Sequence, residues 1–335
     1  MKTPRLSKES NYKWLKILVG FAITALALWL SFRKIDWQLL KDAFFQANFF
    51  WVILALVNTI FAVYALGWRW QILLKPKGKI PLSNLFRLNI ISQYANIIMP
   101  WRFGEVVRAY LASKHHKVSG AYVMGTVFIE KILDFFVFVF LWISVPALFA
   151  IQKEVKGYKI ALVLCLLAAF LLVLFIWQPR TILKWINFLS LLLPPKLRQG
   201  FKGFFERGIE AFGLLRSAKT LIIIVILTFV FIGLQVLTNY FLFKAFDLRL
   251  SFWVGLVVLL AIQVANIPPS VPGKIGIFEY AVILALSLFG IAKGQALSYG
   301  IALHLVSFVP KILLGLVFLP RVGISLRRNS KAQTK

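Results

Sequence analysis

The chain has 335 residues, of which 60% are hydrophobic, and its 39 Lys and Arg exceed its 11 Asp and Glu to give a net charge of +28. Apolar runs of about twenty residues recur along it, which excludes a water-soluble globular domain. The basic residues are spread over the segments between these runs, as is typical of membrane topology signals and contacts with anionic lipids, so we expect no nucleic-acid partner.

Six apolar segments predict full transmembrane helices in an all-α polytopic membrane protein. They cover residues 14–31, 49–74, 121–150, 158–177, 221–246 and 296–319. Basic clusters in residues 1–13 and 320–335 predict that both termini are cytoplasmic, in the cell (inner) membrane of a prokaryote. The second segment ends in Trp68, Arg69 and Trp70, which predicts a membrane interface at this point.

Two further segments are predicted as re-entrant helical hairpins, at residues 82–117 and 252–289. The first is too polar for a span, and Pro100 divides it. In the second, residues 263–279 contain three prolines and two glycines, and such a run cannot continue a lipid-facing helix because hydrocarbon offers no partner for freed backbone groups. The predicted structural breaks are Pro100, Gly104, Pro272, Gly273 and Gly276.

The two hairpins carry similar sequences, because Gln-x-Ala-Asn-Ile occurs at residues 93–97 and again at 263–267. A shift of about 170 residues also places the second span on the fifth and the third on the last. Each half then contains three full spans, an odd number, so the halves have opposite orientations. We therefore predict an inverted-topology repeat of residues 14–150 and 158–319.

Residues 179–219 form the longest predicted loop, with eight Lys or Arg against two Glu. Apolar residues recur in it at helical spacing, which predicts an amphipathic helix on the anionic cytoplasmic leaflet. These residues are Leu197, Phe201, Phe204, Phe205, Gly208, Phe212 and Leu215.

Charged and amide residues lie near both predicted breaks and form the candidate site. Because a guanidinium group suits phosphate and broken helices expose free N–H groups, we predict that an anionic head group binds there. The candidate substrate-binding residues are Asn96, Arg102, Arg108, Asn266 and Lys274.

Four acidic residues are candidates for charge balance, proton coupling or binding of a cationic head group. They are Glu105, Glu130, Asp134 and Glu279. The i, i+4 spacing places Glu130 and Asp134 on one helix face. The alternative is that these charges only pair with one another and fasten the hairpins.

No metal or cofactor is expected. The one cysteine, Cys165, lies in an apolar segment, and the adjacent His115 and His116 are remote in sequence from His304. These counts do not provide a metal-ligand pattern.

Three ordered motifs resemble a known family. Residues 100–108 read Pro-x-Arg-x-Gly-Glu-x-x-Arg, residues 130–134 read Glu-Lys-x-x-Asp, and residues 272–279 read Pro-Gly-x-x-Gly-x-x-Glu. In this order and spacing they resemble the lysylphosphatidylglycerol synthase transmembrane-region family, also called flippase-like, over residues 15–319. The resemblance implies an integral membrane protein associated with moving lipids between leaflets. Larger members carry a cytosolic aminoacyl-transferase domain, which we expect this chain to lack; Lys274 stands where glycine is common, and His304 where arginine is frequent.

The leading functional hypothesis is a flippase that moves an anionic, phosphate-bearing phospholipid or isoprenoid-linked lipid by alternating access. The alternatives are an intramembrane lipid-linked transferase, a small-solute or ion transporter, and an accessory subunit of a lipid- or glycan-modifying enzyme. We expect no enzymatic activity, because no nucleophile motif or nucleotide-binding loop is visible. The expected partners are membrane lipids and, for an accessory subunit, a cytoplasmic or membrane lipid-modifying enzyme.

Overall fold

The computed structural model describes residues 26, 29–31, 37–99, 103–116, 118–149, 163, 166–167, 170, 179–192, 194–267 and 272–321. Within these residues the protein is helical and contains no β-strand. The helices are α1 (Trp37–Phe45), α2 (Phe49–Leu74), α3 (Leu82–Ile98), α4 (Gly104–His116), α5 (Gly120–Phe149), α6 (Pro179–Ser190), α7 (Pro195–Glu210), α8 (Ala218–Ala245), α9 (Val254–Ala265), α10 (Ile277–Ser287) and α11 (Lys293–Arg321). Short 3-10 turns cover Lys75–Lys77, Ala211–Arg216 and Pro272–Lys274.

Three of the described helices are long and apolar enough to cross a membrane. They are Phe49–Lys77, Ala218–Ala245 and Lys293–Pro320, each with a mean hydropathy above 2. A helix of 28 residues is about 42 Å long, which exceeds the ~30 Å of a bilayer core. These helices correspond to the predicted second, fifth and last spans and confirm the all-α membrane class.

The described residues test the other topological predictions to different extents. Helix α5 coincides with the predicted third span, at residues 121–150. The predicted spans at 14–31 and 158–177 lie almost entirely outside the described residues, as do the terminal segments 1–13 and 322–335. The number of six spans and the inverted repeat therefore stay predictions.

Prolines and glycines end the short helices where the sequence predicts breaks. Helix α3 ends two residues before Pro100, and α4 begins at Gly104, while Pro100 itself lies outside the described residues. Helix α9 ends at Ala265 and α10 begins at Ile277. Because α9 and α10 have 12 and 11 residues, each is about 18 Å long or less and is too short to cross a bilayer alone.

The chain divides into two compact units. The first unit comprises Met1–Phe61, Asn96–Arg102 and Gly233–Pro310, and the second comprises Ala62–Ala95, Phe103–Ile232 and Lys311–Lys335. Each unit draws residues from both predicted repeats. Helices α2, α3, α8 and α11 each contribute to both units.

Neutral polar contacts join the helices of the first unit. The Asn58 side-chain amide on α2 donates to the Leu234 carbonyl oxygen and to Thr238 Oγ1 on α8, at 2.6 and 2.8 Å. The Tyr299 hydroxyl on α11 donates to Asn239 Oδ1 at 2.6 Å. Such hydrogen bonds between helices are typical of membrane proteins, where lipid gives apolar faces little reason to associate.

Helix α7 packs closely on α5 in the second unit. An added Cβ at Gly125 would lie 2.2 Å from the Gly208 carbonyl oxygen, so the two backbones are in contact. Ile209, Phe212 and Leu215 are buried in the same core as α5 residues, whereas Leu197 is exposed. The prediction that Phe212 and Leu215 face a lipid leaflet is therefore wrong, because they fill the α5 contact instead.

The contact between α5 and α7 predicts that Gly125→Ala destabilises the protein. The new methyl group meets backbone rather than a movable side chain, so we expect the free energy of unfolding to fall by about 1–3 kcal/mol. The matched control is Gly233→Ala in α8, where an added Cβ meets nothing within 4 Å. Thermal unfolding of the detergent-solubilised variants measures both, and an equal loss in the two would contradict the close contact.

Candidate functional site

A buried carboxylate of α5 lies between two arginines in the second unit. Glu130 Oε2 accepts a hydrogen bond from Arg108 Nη2 of α4 at 2.5 Å, and Glu130 Oε1 lies 3.5 Å from Arg69 Nε of α2. Arg69 and Glu130 expose only 1% and 2% of their surface. Two guanidinium groups that share one carboxylate therefore join three helices.

Asp134 lies one helical turn after Glu130 and contacts the same arginine. Arg69 donates from Nη1 to Asp134 Oδ1 at 2.5 Å and from Nη2 to Oδ2 at 3.3 Å. Arg69 Nη1 also donates to Thr228 Oγ1 of α8 at 2.9 Å. Both acidic side chains of α5 thus face Arg69, as their i, i+4 spacing predicts.

Three side chains contact the guanidinium group of Arg108. Its Nη1 donates to Asn89 Oδ1 of α3 at 2.7 Å, while Nη2 binds Glu130. The guanidinium carbon lies 4.4 Å from the centre of the Trp70 ring, a favourable cation–π distance. The Trp70 indole N–H in turn donates to Thr126 Oγ1 on α5 at 3.1 Å. A head group could reach Arg108 in this conformation only if one of these contacts broke.

Several buried polar atoms of this cluster have no hydrogen-bond partner. They are Arg69 Nε, Arg108 Nε, Asn89 Nδ2 and Glu130 Oε1. A buried donor without an acceptor costs about 1–3 kcal/mol. The cluster therefore leaves three donors and one acceptor without a hydrogen bond, and Arg69 Nε and Glu130 Oε1 among them form an ion pair at 3.5 Å.

Arg69 and Trp70 have surroundings that the local sequence does not show. Both are buried in the protein, while Trp68 is 54% exposed. The position of these residues at a membrane interface stays a prediction. The signal for Arg69 was present, because a charged residue inside an apolar helix needs a partner.

Glu105 forms a more exposed ion pair than the buried cluster does. Its Oε1 lies 3.1 Å from Lys131 Nζ, and the Lys131 side chain is 53% exposed. An exposed pair of this kind contributes about 1 kcal/mol or less to stability.

In the first unit, both carboxylate oxygens of Glu279 are occupied. Oε2 accepts the Gly276 backbone N–H at 2.6 Å and caps the start of α10. Oε1 lies 2.6 Å from His304 Nδ1 on α11. The His304 ring contacts both Phe278 and Phe308, with ring centres 4.6 and 4.2 Å away.

The turn before α10 carries a left-handed lysine. Lys274 has a φ of 57°, between Gly273 at 74° and Gly276 at 87°. Its ammonium group donates to Asn266 Oδ1, and Asn266 Nδ2 donates to Gln263 Oε1 at 3.2 Å. Two candidate substrate-binding residues, Lys274 and Asn266, thus contact each other.

The structure describes the remaining candidate site residues only in part. Asn96 is half-buried near the end of α3, and Gly104 is buried at the first residue of α4. Arg102 lies outside the described residues. Among the residues that are described, no group of three His, Cys, Asp or Glu side chains is placed to hold a metal ion.

Residues 17–315 match the family model described as the lysylphosphatidylglycerol synthase TM region. The chain belongs to this family. A UPF0104 membrane protein of Methanocaldococcus jannaschii is 28% identical over 242 residues, which cover 71% of this chain and 98% of that protein. A UPF0104 membrane protein of Methanothermobacter thermautotrophicus is 23% identical over 303 residues, covering 86% of this chain and 90% of the relative. Membership confirms the resemblance of the three motifs and, with the apolar helices, an integral membrane protein.

The three family motifs have different surroundings in this chain. Arg108 of the first motif binds Glu130 of the second, and Asp134 of the second binds Arg69, which belongs to none of the three. The third motif forms the turn before α10, in which Glu279 binds the backbone of Gly276. The motif residues of the second unit therefore depend on an arginine that the motifs do not contain.

The buried cluster predicts a large difference between two charge-removing substitutions. Arg69→Gln leaves the buried carboxylate of Glu130 and the half-buried carboxylate of Asp134 with fewer partners, so we expect the free energy of unfolding to fall by about 3–5 kcal/mol. The control, Lys131→Gln, removes a cation from the exposed pair on α5, and we expect a fall of about 1 kcal/mol or less. Chemical or thermal unfolding in detergent compares them, and similar losses would show that Arg69 carries no special role.

The left-handed backbone at Lys274 predicts a specific order of stability. Lys274→Gly and Lys274→Ala both remove the ammonium group and its bond to Asn266. They differ at the backbone, since a left-handed conformation costs a residue with a Cβ about 1–2 kcal/mol and costs glycine little. We expect the glycine variant to unfold at the higher temperature, and the reverse order would contradict the left-handed turn.

Proposed function

We propose that the protein binds the phosphate-bearing head group of an anionic lipid and moves that lipid between leaflets by alternating access. The observation that carries the proposal is a cluster of two buried arginines, the buried carboxylate of Glu130 and the half-buried carboxylate of Asp134 inside a helical membrane protein. Charged residues are costly in such surroundings, and in membrane proteins they commonly mark substrate or ion pathways.

The family supports a lipid as the substrate. Its description names the membrane region of a synthase whose product, lysylphosphatidylglycerol, is a phospholipid. A membrane helix bundle gives such a molecule lateral access, because its acyl chains can stay in the bilayer while the head group enters the protein.

Basic residues near both predicted helix breaks support an anionic head group. Arg102 and Arg108 follow the first break, and Lys274 lies in the second. Arginine presents a planar fork of donors that matches phosphate, and lysine adds a point charge. We assign head-group binding to these residues, with Asn96 and Asn266 as neutral hydrogen-bonding partners.

Acidic residues complete the proposal as counter-charges. Glu130 and Asp134 pair with the arginines Arg108 and Arg69, whereas Glu105 pairs with Lys131 and Glu279 with His304. Glu279, which contacts His304, is the residue to which we assign coupling of movement to a proton gradient. The predicted inverted repeat would supply the symmetry that alternating access needs.

Transport of labelled lipid in proteoliposomes tests the proposal. The probe is a fluorescent short-chain phosphatidic acid, with the same label on a diacylglycerol as the phosphate-free control. We expect the wild-type protein to accelerate exchange of the phosphate-bearing probe between leaflets and to leave the control unchanged. Arg108→Gln should slow this exchange at least tenfold.

The matched control for transport is Lys77→Gln, which removes a cation that pairs with Glu210 outside the buried cluster. Exchange by this variant should equal that of the wild type. Folded wild-type protein that moves neither probe would refute the flippase. Conversion of the probe to a new lipid would instead favour an intramembrane transferase, and ion-dependent uptake of a water-soluble solute would favour a solute transporter.

A further inference from the structure

Glu130 lies between two arginines, in an arrangement like that of an anion-binding site in which the bound anion is a side chain of the protein itself. Arg108 Nη2 lies 2.5 Å from one carboxylate oxygen of Glu130, and Arg69 Nε lies 3.5 Å from the other. Arginine pairs that converge on one anion are a frequent solution for phosphate groups, because each guanidinium matches two phosphate oxygens.

Not every polar atom of the cluster that contains Glu130 is hydrogen-bonded. Arg69 Nε, Arg108 Nε and Asn89 Nδ2 are buried donors without a hydrogen bond, and Glu130 Oε1, which lies 3.5 Å from Arg69 Nε, is a buried acceptor without one. All three side chains are more than nine-tenths buried. A carboxylate has two oxygens, whereas a terminal phosphate group has three and accepts hydrogen bonds in more directions. The unused donors therefore suit a larger anion than the one present.

Other contacts keep the two arginines in place independently of Glu130. Asp134 and Thr228 bind the Nη atoms of Arg69. Asn89 binds Arg108 Nη1, and the Trp70 ring lies against its guanidinium. If Glu130 moved away, both guanidinium groups would keep partners that fix their orientation, which is the condition for a pre-organised site.

We propose that Glu130 occupies, in the ligand-free protein, the place of a phosphate group, and that Arg69 and Arg108 form a clamp that exchanges this carboxylate for the phosphate of a ligand. The inference rests on the proposed function for the lipid nature of that ligand. It adds Arg69 to the binding residues and makes Glu130 a competitor of the substrate. Exchange of the carboxylate for a phosphate keeps a negative charge between the two arginines.

Removal of the competitor tests the clamp. Glu130→Gln keeps the shape of the side chain but no longer offers an anion to the arginines, so phosphate should bind more tightly. The matched control is Asp134→Asn, which removes the same charge from the same helix but leaves Glu130 between the arginines. Affinity is measured on the full chain in detergent, from the ligand-dependent rise of the thermal unfolding midpoint.

The probes are inorganic phosphate, dihexanoyl phosphatidic acid and phosphate-free dihexanoyl glycerol. We expect Glu130→Gln to bind phosphatidic acid at least tenfold more tightly than the wild type, and Asp134→Asn to bind it no more tightly. Equal tightening in both variants, or none in Glu130→Gln, would overturn the proposal. Preference for phosphatidic acid over inorganic phosphate identifies a lipid ligand, and the reverse preference identifies free phosphate.

A second variant covers the case in which Glu130→Gln does not fold. Arg69→Lys keeps the positive charge but loses the fork of donors, so saturable binding of phosphatidic acid by the wild type should weaken at least tenfold. No saturable binding by the wild type, or unchanged affinity in Arg69→Lys, would refute the clamp in this case.

Different experimental results would refute the proposed clamp and the proposed flippase. Phosphate binding that follows these expectations without lipid exchange in proteoliposomes refutes the flippase and keeps the clamp. Lipid exchange with phosphate affinities that Glu130→Gln leaves unchanged refutes the clamp and keeps the flippase.

Discussion

The second unit depends on the contact of Glu130 with two arginines. Through Arg69 and Arg108 this one carboxylate joins α2, α4 and α5, and the partners Asn89 and Thr228 add α3 and α8. A buried charge is tolerated only when its partners are in place. Helices α2, α4 and α5 cannot shift far from one another without separating an ion pair, so the network favours one arrangement of these helices among those that apolar packing alone would allow.

In the first unit, neutral hydrogen bonds rather than ion pairs between arginine and carboxylate join the helices. Asn58 and Thr238 form a neutral hydrogen bond, and Asn239 binds Tyr299. Glu279, the buried acid of this unit, serves as a helix cap and a histidine partner rather than as a link between arginines. Neutral contacts lose less when they separate than ion pairs do, so the two units differ in the cost of rearrangement.

The sequence predicted the helix ends better than the burial of individual residues. Breaks near Pro100 and Gly276 follow from local backbone chemistry, and the shared face of Glu130 and Asp134 follows from helical spacing. The partner of those acids does not follow from local pattern, because Arg69 precedes Asp134 by 65 residues. The local sequence did not indicate that Arg69 and Trp70 are buried, and Phe212 looked like a lipid-facing residue. In both cases a distant helix provides the surroundings that the local pattern cannot show.

The contact between Gly125 and Gly208 links the surface of α7 to the charged cluster. Gly125 precedes Glu130 by five residues, which is about 7.5 Å along a rigid helix. The backbones of α5 and α7 touch at this point without side chains that could absorb a displacement. Leu197 and Phe204 lie on the exposed side of α7. A molecule that binds this side and displaces α7 would therefore also displace α5, and with it the carboxylate between the arginines, without contacting that carboxylate.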